Sequence, residues 1–130
     1  MKSKGGLQRI TRAMGYTVEG LKAAYTHEHA FRQEVFAIAP FAIAAWVLPD
    51  FSAWIRALLF GSLLLILIVE LLNSSIEANT DHISLDRHPL AKRAKDMGSA
   101  AVFLAIVNAV CVWGCVLWTL YGDVIWRWFV

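Results

Sequence analysis

An acidic, polar stripe interrupts an apolar run at V-E-L-L-N-S-S-I-E, residues 69–77. At about 100° per residue, Glu77 falls within about 20° of Glu70 around a helix, and Asn73 about 60° away. Asp81 returns to the same stripe if the helix continues that far, while Leu71, Leu72 and Ile76 form the opposite face. An ionisable group in the centre of a spanning helix costs about 2.5–3.5 kcal/mol, which makes one a functional candidate by default. Glu70 and Glu77 stand about 10 Å apart along the axis. Magnesium–oxygen bonds are about 2.0–2.1 Å, so the two carboxylates cannot chelate one ion together. Depth therefore divides their labour: Glu77 near the aqueous boundary suits a metal ligand, and the deeper Glu70 suits a proton acceptor.

A second polar block, A-K-R-A-K-D-M-G-S-A-A (91–101), places Asp96 and Lys95 each on a shared helix face with Ser99. Lys95 can meet a polyanion, and the small residues from Gly98 to Ala101 permit close helix approach in lipid. Glu28 and Glu34 flank H-A-F-R-Q upstream. G-Y-T-V-E-G-L-K (15–22) approximates P-loop spacing, but Leu21 separates Gly from Lys and no Ser or Thr follows the Lys. Any phosphate chemistry here uses neither a P-loop nor a protein-kinase fold.

These groups need elements to hold them, and the composition indicates which. Of 130 residues, 58% are hydrophobic and 17% charged, against about 45–50% and 25% in an ordinary globular protein. One small core cannot hide that excess from water. A net charge of +2 excludes a nucleic-acid protein as the first reading. Cys111 and Cys115, four apart in an apolar run, form neither a disulfide framework nor a metal motif and read as small packers. The expected architecture is an all-α membrane protein. An amphipathic surface helix at about 7–27 precedes three transmembrane helices at about 30–48, 53–79 and 90–121. The whole of 1–130 is one integral-membrane domain. Pro40 should kink the first span, Asp50 or Ser52 should cap the second, and Pro89 should start the third.

Orientation follows from Lys and Arg. Residues 1–34 hold six of the twelve, 80–96 hold four, and Arg56 and Arg127 lie elsewhere. The positive-inside rule places the N-terminus and 80–96 in the cytoplasm, and the 49–56 turn and C-terminus outside. Trp46, Trp54, Trp118, Trp126 and Trp128 then form an outer aromatic belt.

The blocks G-Y-T-V-E-G-L, E-H-A-F-R-Q-E, V-E-L-L-N-S-S-I-E and A-K-D-M-G-S-A-A-V together resemble the small integral-membrane diacylglycerol kinases of bacteria, over about residues 7–121. The resemblance implies an inner-membrane homotrimer of three-span chains. It implies transfer of the γ-phosphate of Mg-ATP to diacylglycerol, giving phosphatidic acid. It assigns Glu70 as general base and Glu28 and Glu77 as magnesium ligands, with Asn73, Lys95 and Asp96 completing the polar site. Arg9, Tyr16, Asp86, Arg87 and His88 match nucleotide-contacting positions. Arg56, Ser99 and the segment from Trp113 to Trp118 match lipid contacts. Thr17 replaces a common Ser, D-R-H-P-L departs from the usual loop, and the tail after Tyr121 runs past the usual end.

H-P-L-A-K (88–92) leans instead towards a related branch that phosphorylates undecaprenol. A proton-coupled transporter would also use an intramembrane Glu70, but leaves Glu28, Glu77, Lys95 and Asp96 without a task. A structural membrane subunit leaves the buried carboxylate unexplained. Three spans are too few to enclose the polar face of the second, so a neighbouring chain is expected to bring Glu28 near Glu77.

Overall fold

A computed structural model describes residues 4–83 and 88–129, and within them the chain is all helical. The order is α1 (Lys4–His27), α2 (His29–Val47), α3 (Ala53–Ile83) and α4 (Pro89–Arg127). The last three are long and apolar enough to cross a membrane. Two helices outrun their expected ends. α3 continues past 79 to Ile83, which carries Asp81 on the helix, and α4 continues past 121 to Arg127.

The breaks between helices are made locally. Glu28 adopts extended backbone (φ −98°, ψ 112°) as the N-cap of α2. Arg32, one turn into α2, donates from Nη1 to the carbonyls of Tyr25 and Thr26, both at 2.9 Å. Those are last-turn carbonyls of α1, which lack helical partners of their own. The single-residue joint thus places Glu28 between two helix ends. α2 runs without interruption through Pro40. At its far end Arg56 donates to the carbonyls of Ala45, Trp46 and Leu48. Of the two capping alternatives for α3, Ser52 is used: its Oγ accepts from the backbone N–H of Ile55 at 3.3 Å. Asp50 instead accepts from the Tyr121 hydroxyl at 2.9 Å, tying the turn to α4.

α3 is the central helix, packed against α4 on one side and α2 on the other. The core beside the turn joins Ala45, Phe51, Leu59, Leu63 and Trp113. A second layer joins Ile66, Ala105 and Ala109. Much apolar surface stays uncovered, including Phe36, Ile43, Phe103 and Val110 on the spans and Leu7, Ile10 and Met14 on α1. Bilayer or neighbouring chains must meet these residues, because water would penalise them. Cys111 and Cys115 are exposed in the single chain rather than packed inside it.

Candidate active site

The buried face of α3 changes character along its length. Leu59, Leu63 and Ile66 give way to Glu70, Asn73 and Ser74, all buried. One helical stripe thus passes from hydrocarbon to carboxylate without turning towards solvent. Ser74 follows Glu70 by one turn on the same buried face. Asn73 Nδ2 donates weakly to Glu77 Oε1, at 3.5 Å.

α4 reaches this stripe where it is thinnest. The Asn73 amide oxygen occupies the space that a Cβ on Gly98 would fill. That oxygen is buried and has no hydrogen-bond partner. A methyl on Gly98 would displace the Asn73 amide, so glycine lets α4 lie close to α3 with the amide in this place. Three residues earlier on α4, Lys95 Nζ lies 2.8 Å from Asp81 Oδ1, and Glu77 also acts on it electrostatically.

Glu28 and Glu77 are both half-buried. Glu28 also lines, with Gly20, Ala24, Leu71 and Ser74, a cavity of about 420 Å³ between α1 and α3. Ser74, which follows Glu70 by one turn of α3, thus shares this cavity with Glu28. A second cavity, of about 390 Å³, lies among α2, α3 and α4 and is lined by Glu34, Phe41, Ile66, Ala109 and Trp113. Its size falls within the range of about 300–1,000 Å³ typical of ligand pockets. Its walls are otherwise apolar, yet Glu34 Oε2 and Trp113 Nε1 are buried without partners. Unpaired buried polar atoms cost about 1–3 kcal/mol each, so these are points at which a ligand can repay the cost.

Glu70, Asn73 and Glu77 share one stripe of α3, Lys95 is tied to that helix through Asp81, and Glu28 stands across the α1–α3 cavity from Ser74. Asp96 is turned to Lys92, at 2.6 Å on an exposed turn. His88 is the N-cap of α4, and its Nδ1 accepts from the Leu90 N–H at 3.2 Å. Arg9 and Tyr16 are exposed on α1, roughly 28 and 18 Å before Glu28 along the helix. Arg56 lies about 21 Å from Glu70 along α3, with its guanidinium on carbonyls of α2. Trp113 is buried edge-to-face with Phe41, 5.3 Å between centroids, whereas Trp118 and Ser99 are exposed. Trp113 and Trp118 point about 140° apart, so they do not form one surface. Asp86 and Arg87 lie outside the described residues.

Three residues of this region escaped the sequence assignment. Ser74 had a signal, one turn from Glu70 on the same face. Asp81 had half of one, since its stripe depends on where α3 ends. Glu34 was visible as a carboxylate near the first span, but nothing local announces that it heads a cavity lined from three helices.

No group of three or more His, Cys, Asp or Glu among the described residues could hold a metal ion. Magnesium commonly takes one or two carboxylates and completes its shell with phosphate oxygens and water. Glu28 and Glu77, both half-buried hard oxygen donors, fit that sparse arrangement.

The prokaryotic diacylglycerol kinase family model matches residues 15–117. The diacylglycerol kinase of Escherichia coli (strain K12) is 49% identical over 118 residues, 90% of this chain and 95% of that protein. The diacylglycerol kinase of Pseudomonas aeruginosa is 49% identical over 116 residues, 89% of this chain and 94% of that one. The diacylglycerol kinase of Haemophilus influenzae is 39% identical over 112 residues, covering 86% and 94%. Identity at this level, spread over nearly the full length of both chains, leaves one conclusion: the chain belongs to the prokaryotic diacylglycerol kinase family.

Proposed function

We propose that the protein transfers the γ-phosphate of Mg-ATP to the free hydroxyl of diacylglycerol, giving phosphatidic acid and ADP. The observation that carries this reading is the 49% identity over 90% of the chain to a protein named diacylglycerol kinase. The name shared by the relatives favours diacylglycerol over undecaprenol.

Glu70 is the general base. Its carboxylate accepts the proton of the lipid hydroxyl as that oxygen bonds to the γ-phosphorus. The bond from this phosphorus to the β–γ bridging oxygen breaks, and ADP leaves. Burial at headgroup depth suits Glu70 to this work, since it keeps bulk water from competing as acceptor. Ser74 and Asn73 fix the local hydrogen-bond geometry. Glu77 and Glu28 hold magnesium, which when bound neutralises charge on the phosphates. Lys95 and Asp96 meet the nucleotide, together with Arg9, Tyr16, Asp86, Arg87 and His88. The cavity headed by Glu34 accepts the apolar part of the lipid, with Trp113 in its wall. Ser99, Arg56 and Trp118 serve the lipid only along its length, since they do not converge on Glu70.

The chain assembles as a homotrimer in the bacterial inner membrane, with its N-terminus in the cytoplasm and its C-terminus outside. The distribution of Lys and Arg supports this orientation. The uncovered apolar residues of α1 support its lying in the membrane interface, and those of α2 to α4 support contact with neighbours and lipid.

Purified protein, incubated in detergent micelles with labelled ATP and each lipid alcohol in turn, should yield labelled phosphatidic acid from diacylglycerol. Labelled undecaprenyl phosphate alone would move the assignment to the other branch. Absence of any lipid product would refute the kinase reading.

A further inference from the structure

Lys95 is held by a residue that the proposed reaction leaves without a task. Its ammonium lies 2.8 Å from Asp81, across the groove between α3 and α4 and 14 residues away in sequence. The Lys92–Asp96 pair is different in kind: it links residues four apart on α4, as helical spacing alone arranges. The Asp81–Lys95 pair exists only because α3 continues to Ile83 and α4 packs beside it.

The two side chains are 67% and 39% exposed, and an ion pair so open to solvent adds little to stability. Its effect is conformational. A lysine stem has four carbons and many rotamers, and an untethered ammonium spreads its charge over all of them. Asp81 draws the ammonium onto the polar stripe of α3, where Glu77, one turn nearer Glu70, attracts it too. An ammonium has three donors. It can keep one on Asp81 and turn the others to phosphate oxygens.

We propose that Asp81 is a positioning residue for the nucleotide: it touches no reacting atom, and it pre-orders Lys95 for the polyphosphate. This rests on the kinase reading above. It also commits to a sign, because an aspartate that merely competed with phosphate for Lys95 would weaken nucleotide binding, and its removal would tighten it.

The test uses the full chain in detergent micelles, as wild type, Asp81→Asn, Lys95→Met and the double variant. Binding of magnesium with a non-hydrolysable ATP analogue is followed by calorimetry, and kcat and KM are measured with a short-chain diacylglycerol. Asp81→Asn should raise the analogue Kd and the ATP KM about fivefold, roughly 1 kcal/mol, with kcat within about twofold of wild type. In the Lys95→Met background the same change should alter Kd by less than about 1.5-fold, because the partner is gone. Asp81→Glu, which keeps the charge, should recover part of the affinity and provides the readout if Asp81→Asn misfolds. An equal effect in both backgrounds, no effect, tighter binding in Asp81→Asn, or no recovery in Asp81→Glu would overturn the proposal. Wild type that binds the analogue but phosphorylates no lipid would instead defeat the kinase reading.

Discussion

Arg56 and Glu34 lie in the two halves of one bundle and meet the same difficulty, a charged group against an apolar interior, in opposite ways. Arg56 spends its guanidinium on three carbonyls at the end of α2 and stacks over Phe51 at 6.0 Å. Close by, Asp50 takes the Tyr121 hydroxyl and Ser52 caps α3. Polar groups at the turn satisfy one another. Around Glu70 they do not: Glu34 Oε2 and Asn73 Oδ1 are buried without partners, as is Trp113 Nε1, which belongs to the core beside the turn but lines the cavity that Glu34 heads. Internal pairing marks the turn as the part that holds the hairpin together. Unpaired atoms mark the other half as the part that awaits ligands, at a standing cost in stability.

The sharpest way to break that distinction is at Glu70. Glu70→Gln keeps shape and polarity but removes the proposed base, so kcat should fall by about 10² or more. Glu77→Gln should chiefly raise the magnesium requirement, because it removes an anionic oxygen from the ion. Titrating magnesium against initial rate separates the two. Rescue of Glu70→Gln by magnesium, with none for Glu77→Gln, would exchange their roles.

Gly98→Ala comes next. Its methyl would collide with the Asn73 amide oxygen, forcing the amide to rotate or α4 to move away. Overpacking of this kind costs about 1–3 kcal/mol, and here it should reduce activity more than it lowers the thermal midpoint. Equal activity to wild type would show that the Asn73 orientation does not matter to the reaction.

The smallest effect on turnover belongs to the turn. Arg56→Met should leave kcat within about twofold while lowering stability by about 1–3 kcal/mol, since three carbonyls lose their donor. Thermal unfolding in detergent and steady-state kinetics, run on the same preparation, check both halves of this expectation. A large rise in lipid KM with unchanged stability would put the lipid contact of Arg56 ahead of its hold on α2.

The Glu70–Asn73–Glu77 stripe was legible in the sequence because it depends on helical period alone. The three long apolar runs were legible for a related reason: a bilayer imposes length and composition on each span separately. Pro89 and Ser52 announced helix starts through local backbone chemistry. Other features depend on how helices pack, which no single helix encodes. Gly98 against Asn73, Lys95 on Asp81, and Tyr121 on Asp50 each join residues far apart in the chain. Arg56 matched a lipid contact by position, yet the fold turns its guanidinium to the end of α2. Glu34 gained its place only when α2, α3 and α4 came together around one cavity. The sequence by itself determined which faces are polar and how deep each carboxylate lies along its own helix. Tertiary structure decided which of those polar groups find partners, because pairing depends on distances between helices rather than on spacing within one.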